Sequence, residues 1–522
     1  MIKALILAAG CGIRMGSPGE RFNKALLPLE GKGIISHIIE NIRVDEIVIA
    51  VGYKSSQIKK YCSIFHPDKK IKFVDVDNFN GPGSGPGYSM LCCKEFTQCP
   101  FYIITADSLL TDKLPDIDCN WLGVADVDGL DHYATCRIND DSELIDFKNK
   151  NTDNFELAFT GVVAVKDYTL FWEKFDRYLL ERQDREVEFV GAFYKPFFST
   201  IMVRKIGWKD VGRKCLYTEL YEKYQGLDDY DLKKVDHYEL TFLYKNKVAK
   251  LSDPKIIQLK KKRREILCSI TPELIDKEID EFLVHDFVNG RNLYQIGNAE
   301  VYLDFLEWAN HNLFNKLCPL TQGFQSLCYK FYKEKTYDRL KSFFIRFPEM
   351  ENDLVVASIP CKNVYYYLEK VDWKIIGDRA IPYIFHGDLN FGNIVMESDK
   401  NFKLIDWRSD FAGSLIGDLY YDFAKLYAGC IINFYKCCID SRYFRKIQEN
   451  NYDINWLSTA EEQIFLHHFV EWLKTNGYSV EHVKLIANLI FLNMSPLHLE
   501  NFSKYLYLQA VRNLELFFQK NI

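Results

Sequence analysis

The chain has 522 residues, too many for one hydrophobic core, so two or three domains are expected. Hydrophobic residues at 48% and charged residues at 26% exclude a disordered chain, and a net charge of −6 gives no global pull toward nucleic acid or anionic lipid. The fifteen cysteines form no pair of CxxC motifs, there is no secretory signal, and no run of about 18 apolar residues appears; reduced thiols, a cytoplasmic location and no membrane span are expected.

Lys3–Ala8 is an apolar strand that runs into Ala9-Gly10-Cys11-Gly12-Ile13-Arg14-Met15-Gly16. Glycine in such a turn lets backbone N–H groups approach phosphates, and Arg14 adds a fixed positive charge. Steric tightness is the other reason for glycine there. Asn23-Lys24-Ala25-Leu26-Leu27-Pro28-Leu29 then sets a lysine before an apolar segment. A strand at Glu46–Val51, a helix at Ser55–Ser63 and a strand at Ile71–Val76 continue an α/β alternation. Residues 81–88 hold four Gly and two Pro, so they form a loop of close backbone approach or a flexible linker, against which the two stiffening prolines speak. Phe101–Thr105 is the next strand. Asp107 stands just past its carboxyl end, where open parallel sheets bind ligands, and suits either Mg²⁺ or a helix N-cap. Phe159–Lys166 reads as a further strand.

Read together, Leu-Ala-Ala-Gly-x-Gly-x-Arg-Met-Gly followed by Lys-x-Leu-Leu-Pro resembles the signature of the sugar-phosphate and phosphocholine nucleotidyltransferases, the MobA-like NTP transferases. The resemblance implies a Rossmann-like domain over residues 1–225. It implies that Ala8, Ala9, Gly10 and Gly12 cradle a triphosphate while Lys24 and Arg14 neutralise charge as pyrophosphate leaves. Ser84 and Gly85 would meet the base. Asp107 would be the first Mg²⁺ ligand, and Asp210, in Trp208-Lys209-Asp210-Val211-Gly212, the second. Family members usually carry Thr after that glycine, whereas this chain has Arg213. Thr160-Gly161 and Glu188 are weaker candidates for the acceptor side.

The stretch 226–236, with Gly226 and four Asp, reads as a linker. His237–Tyr244 and Lys247–Ser252 look like a hairpin turning at Lys245-Asn246, and Ile256, Leu259, Arg263 and Leu267 have helical spacing. Lys250 on the second strand would reach ATP phosphates, with Glu265 as its partner, although no Gly-rich loop precedes it. The run Lys260–Arg264 reads as a solvated helix face. From Leu293 onward long apolar-periodic segments predict a helical region, within which His482–Met494 reads as a buried helix.

Inside that region lies His386-Gly387-Asp388-Leu389-Asn390-Phe391-Gly392-Asn393, followed by Leu404-Ile405-Asp406-Trp407. One Asp can orient a hydroxyl nucleophile while an Asn and a second Asp hold Mg²⁺ against ATP phosphates. With Gly417-Asp418-Leu419-Tyr420-Tyr421-Asp422 the set resembles the aminoglycoside phosphotransferase and choline kinase family. That resemblance implies a two-lobed protein-kinase-like α+β domain, small lobe 237–288 and large lobe 289–522. Asp388 would be the catalytic base and Asn393 and Asp406 metal ligands. Asp418 and Asp422 would brace the loop, and His386 would position it.

A kinase makes a phosphomonoester and such a nucleotidyltransferase consumes one, so the fusion implies consecutive steps. The expected enzyme phosphorylates a small alcohol with ATP. It then couples the phosphate to CTP or another NTP with Mg²⁺, giving an activated head group for surface polysaccharide or lipid decoration. Choline or a related amino alcohol with CTP is the first expectation, and a sugar or polyol with CTP or UTP the second. A kinase-fold module that only binds nucleotide, or action on RNA, are the other classes. The acidic balance speaks against RNA.

Overall fold

The computed structural model describes residues 1–522 except 128, 130–132, 150–156, 181–199, 225–238, 276–277, 279, 399, 434–442, 456, 499 and 521–522. The chain divides into two compact units. Residues up to Tyr224, with Leu240–Lys245, form the first; Glu239 and the chain from Asn246 onward form the second. The expected linker at 226–236 and the candidate Glu188 lie outside the described residues.

The first unit is built on four parallel strands, three of them near-continuous apolar runs that suit a sheet covered on both faces and the fourth, Ile71–Asp75, mostly unburied at the sheet's edge. These are β1 (Lys3–Ala8), β2 (Glu46–Val51), β3 (Ile71–Asp75) and β4 (Phe101–Thr105), in the order β4-β1-β2-β3, with Leu5 opposite Val48 and Ile103. Leu157–Val165 runs antiparallel to β4, one residue displaced at its end from the expected strand. The helix α1 (Ser55–Phe65) follows β2, and α2 (Pro86–Cys92) follows the glycine loop. Two short strands, β5 (Ser108–Leu110) and β6 (Trp208–Asp210), pair antiparallel with Ser108 opposite Asp210. This pairing carries a residue from far along the chain to the carboxyl end of β4. Phe242, within Leu240–Lys245, packs its ring 4.9 Å from Tyr61 in the same unit.

In the second unit, β7 (Lys247–Ser252) pairs antiparallel with a strand at Phe282–Asp286, Lys250 opposite Leu283. Lys245 and Asn246, just before β7, both take left-handed φ (52° and 58°), the backbone of a two-residue type I′ turn. The helix α3 (Pro254–Leu267) begins at Asp253, whose carboxylate accepts from Lys255 N, with Pro254 preset for the first turn. Further on come α4 (Lys335–Arg346), a hairpin of Ile394–Ser398 and Asn401–Leu404, then α5 (Leu419–Ile431) and α6 (Val480–Met494). α5 and α6 pack against each other in a core that includes Phe423, Leu426, Ile486 and Phe491. Among the described residues no helix is long and apolar enough to cross a membrane.

Candidate active sites

At the head of β1 the backbone turns through Gly12 and Gly16 with φ of 64° and 65°, a region that L side chains rarely adopt. Asn23 fastens the following turn. Its side chain accepts from Ala25 N at 3.0 Å and donates to Ala8 O at 3.2 Å and Tyr53 O at 2.8 Å. Lys24 is thereby held against the glycine turn, where a Cβ on Gly12 would lie 3.4 Å from its own Cβ. Lys24 Nζ reaches 2.6 Å from Asp107 Oδ2, and Arg14, largely solvent-exposed, stands 3.8 Å from the same oxygen. Burial raises the Asp107 carboxyl, but Lys24, Thr105 and Arg14 outweigh it and hold the group at about 2.

Asp210 arrives through the pairing of β5 and β6. Its Oδ1 accepts from Gly212 N at 2.7 Å, and Arg213 Nε stands 3.7 Å from Oδ2. A Cβ on Gly212 would lie 2.8 Å from Asp107 Oδ2 and 3.1 Å from Asp210 Oδ1, so the two carboxylates face one small space. Hard oxygen donors converging in this way fit Mg²⁺, which takes one or two protein carboxylates and completes its shell with phosphate and water. Arg213, the departure from the usual Thr, both pairs with Asp210 and donates to Tyr133 Oη at 3.1 Å. Thr160 and Gly161 lie beside this floor: Ser108 Oγ donates to Thr160 O at 2.6 Å, and a Cβ on Gly161 would collide with Thr105. Gly81, Gly83 and Gly85 take φ of 98°, 77° and 127°, and Ser84 is buried between them at the start of α2.

The second unit has its own polar cluster. Asn393 Nδ2 donates to Asp388 O at 2.8 Å and to Asp388 Oδ2 at 3.1 Å, while Ile405 N donates to Asn393 O at 3.0 Å. Asp388, Asn393 and the segment entering Asp406 are thus drawn together. Asp406 takes a left-handed φ of 56° and pairs with Lys250. His386 is buried and its pKa is lowered by that burial. Its Nε2 donates to Ile405 O at 3.0 Å and its Nδ1 accepts from Asp388 N at 3.3 Å, so it positions the loop as a neutral ring. Asp422 accepts from His386 N at 2.6 Å and Gly387 N at 2.7 Å. The amide oxygen of Asn393 and the carboxylate of Asp406 are donors that suit Mg²⁺.

Glu265 is a correction. It is exposed on α3, and the carboxylates set against Lys250 are those of Asp406 and Glu239, the latter at 3.2 Å. Lys260 on α3 also pairs with Glu239, at 2.7 Å, so the basic run there is not wholly a solvated face. Burial raises Glu239, and Lys250 and Lys260 more than reverse it. Lys425, unmarked by any motif, stands 2.8 Å from Asp388 Oδ1.

Residues 4–112 match the family model of the MobA-like NTP transferase domain. The first unit therefore carries a nucleotidyltransferase-type domain of Rossmann-like fold. Bifunctional protein GlmU of Methanocaldococcus jannaschii is 30% identical over 218 residues, which cover 40% of this chain and 51% of that protein. Its counterpart from Methanococcus vannielii is 27% identical over 224 residues, 40% of this chain and 52% of that protein. The chain thus spans about half the length of these curated relatives. D-glycero-alpha-D-manno-heptose 1-phosphate guanylyltransferase of Campylobacter jejuni is 23% identical over 201 residues, 37% of this chain and 87% of that protein. Among solved structures, CTP:phosphocholine cytidylyltransferase from Streptococcus pneumoniae aligns with 43% of this chain and 99% of its own, at 18% identity and a TM-score of 0.38.

Proposed function

We propose that the chain is a two-step enzyme, an alcohol kinase followed by a nucleotidyltransferase that activates the kinase's product. The convergence of Lys24, Asp107 and Asp210 at one end of the parallel sheet carries the nucleotidyl half. The family match over residues 4–112 and the likeness to a heptose 1-phosphate guanylyltransferase support a phosphomonoester as acceptor. The kinase half rests on Asp388 with Asn393 and Asp406.

In the kinase step the acceptor hydroxyl oxygen attacks the γ-phosphorus of ATP while Asp388 takes its proton. The bond to the β–γ bridging oxygen breaks and ADP leaves with the electron pair. In the second step an oxygen of the new phosphate attacks the α-phosphorus of CTP or another NTP. The α–β bridging bond breaks and pyrophosphate leaves; the attacking oxygen is already an anion, so no base is required. Lys24 and Arg14, both close to Asp107, would offset the charge that builds on the leaving pyrophosphate. When bound at Asp107 and Asp210, or at Asn393 and Asp406, Mg²⁺ supplies further neutralisation of phosphate charge. The product would be a nucleoside diphosphate-activated head group for surface polysaccharide or lipid decoration.

The test is to incubate the protein with ATP, CTP, UTP and GTP and a panel of alcohols and phosphomonoesters, following ADP and pyrophosphate separately. Alcohols are expected to give ADP, and phosphomonoesters pyrophosphate. Silence of every phosphomonoester with every NTP would end the nucleotidyl reading, and silence of every alcohol the kinase reading.

A further inference from the structure

The two oxygens of Asp388 face different company. Oδ2 takes the Asn393 amide, and Asn393 O in turn accepts from Ile405 N, next to the Asp406 that pairs with Lys250. Oδ1 takes Lys425, a largely buried lysine on α5. Beyond Lys425 more positive charge gathers. Lys335 Nζ stands 4.3 Å from the centre of the Phe331 ring, and the Arg408 guanidinium carbon stands 5.1 Å from the same centre. Arg408 is seated against the catalytic loop, since its N–H donates to His386 O at 3.0 Å.

Among the described residues neither Lys335 nor Arg408 makes an ion pair. Arg408 Nε donates to a carbonyl, Asp410 O, at 2.9 Å. The Asp410 carboxylate, which acts on Lys335 more weakly than burial or the neighbouring cations and against them, accepts from Ser409 Oγ and Gly413 N, each at 2.7 Å. Burial first, then Arg408, Arg339 and Lys425, hold the Lys335 ammonium well below its usual pKa. Cations gathered in a partly buried place without carboxylate partners are costly unless an anion from outside completes them.

From this geometry we infer that the alcohol phosphorylated at Asp388 is itself an anion, its carboxylate or phosphate seated by Lys335 and Arg408 while its hydroxyl lies at Asp388. The inference rests on the kinase reading of Asp388 and names its substrate class. It leads away from a cationic amino alcohol, which Lys335, Arg408 and Lys425 would repel. The ATP phosphates belong to the other face, with Asn393, Asp406 and Lys250.

The experiment compares hydroxy acids (glycerate, gluconate) and glycerol phosphate with neutral glycerol and ribitol and with choline and ethanolamine. ADP release and the shift in Tm are both read on the full chain. The anions are expected to give ADP and to raise Tm, with carboxylate and phosphate arms showing which anion fits; choline is expected to do neither. Lys335→Met and Arg408→Met should each raise KM for the anionic acceptor about 10- to 100-fold, leaving KM for ATP unchanged. Equal use of neutral or cationic alcohols would overturn the inference while leaving the kinase reading standing. So would variants that raise KM for ATP instead. Should no alcohol give ADP, the kinase reading falls, and binding decides the anion site. An anion-dependent rise in Tm that Arg408→Met abolishes supports it, and absence of that rise overturns it.

Discussion

Lys24 and Asp107 touch at 2.6 Å across 83 residues of sequence, one on the turn after β1 and the other at the end of β4. Each neutralises the other. With triphosphate present the ammonium has a second anion to serve. Lys24→Met is therefore expected to lower pyrophosphate release about 10²- to 10³-fold while ADP formation continues at its usual rate. Rates within threefold of the parent would remove Lys24 from the chemistry. The same change should raise the Asp107 pKa, because burial, which raises it, would then lose its largest opponent.

Gly212 has no room for a side chain. A methyl group there would press on Asp107 Oδ2 and Asp210 Oδ1 together. Gly212→Ala is expected to cut pyrophosphate release at least 10-fold and to raise the Mg²⁺ concentration needed for half-maximal rate. The far-UV circular dichroism should stay unchanged. A magnesium titration of both proteins, side by side, checks this.

Asp388→Asn keeps the shape of the loop and the hydrogen bond from Asp388 N to His386. It removes the proton acceptor. ADP formation should drop about 10²- to 10⁴-fold, whereas pyrophosphate release from a supplied phosphomonoester should not change. Loss of both activities together would mean that the two steps are not separable in the way proposed.

Much of the first unit was legible because its strands are local and apolar. Lys3–Ala8, Glu46–Val51 and Phe101–Thr105 are observed at the expected residues. What spacing could not reveal were partnerships across the chain. Lys425 meets Asp388 from a separate helix, and Glu239 meets Lys250 from the stretch just before β7. The expectation of Glu265 took a helix carboxylate as the partner, but helical rotation turns that residue to solvent and brings Lys260 inward instead. The cluster beginning at His386 could be anticipated because its residues are close together in sequence and do meet in space, Asn393 Nδ2 reaching Asp388 Oδ2 at 3.1 Å. The charges gathered beyond it come from α4, α5 and the segment after Asp406, and no short pattern joins them.

Asp418 gives a pH prediction. It is buried, and burial pushes its carboxyl up to about 7, although Ile381 N, Tyr332 Oη and Tyr420 N all donate to it. A carboxyl whose folded pKa lies above its unfolded value, near 4, stabilises the fold fully below pH 4 and loses that contribution as pH rises through 7. Unfolding by urea at several pH values should show this decline between pH 4 and 7. Asp418→Asn, which keeps an oxygen for the two backbone donors, should flatten it. A parent profile that rises over that interval, with no change in the variant, would contradict the assignment.

Arg263 reaches from α3 into the protein, almost wholly buried, with its guanidinium 3.8 Å over the Phe385 ring and its donors on Phe385 O and Leu415 O. Trp407 Nε1 answers from the other direction with a bond of 2.9 Å to Lys260 O. A helix tied this way cannot swing out without stranding a buried cation and an indole N–H. Any displacement of α3 would therefore drag the segments at Phe385 and Trp407 along with it, so that these parts of the second unit travel as one piece.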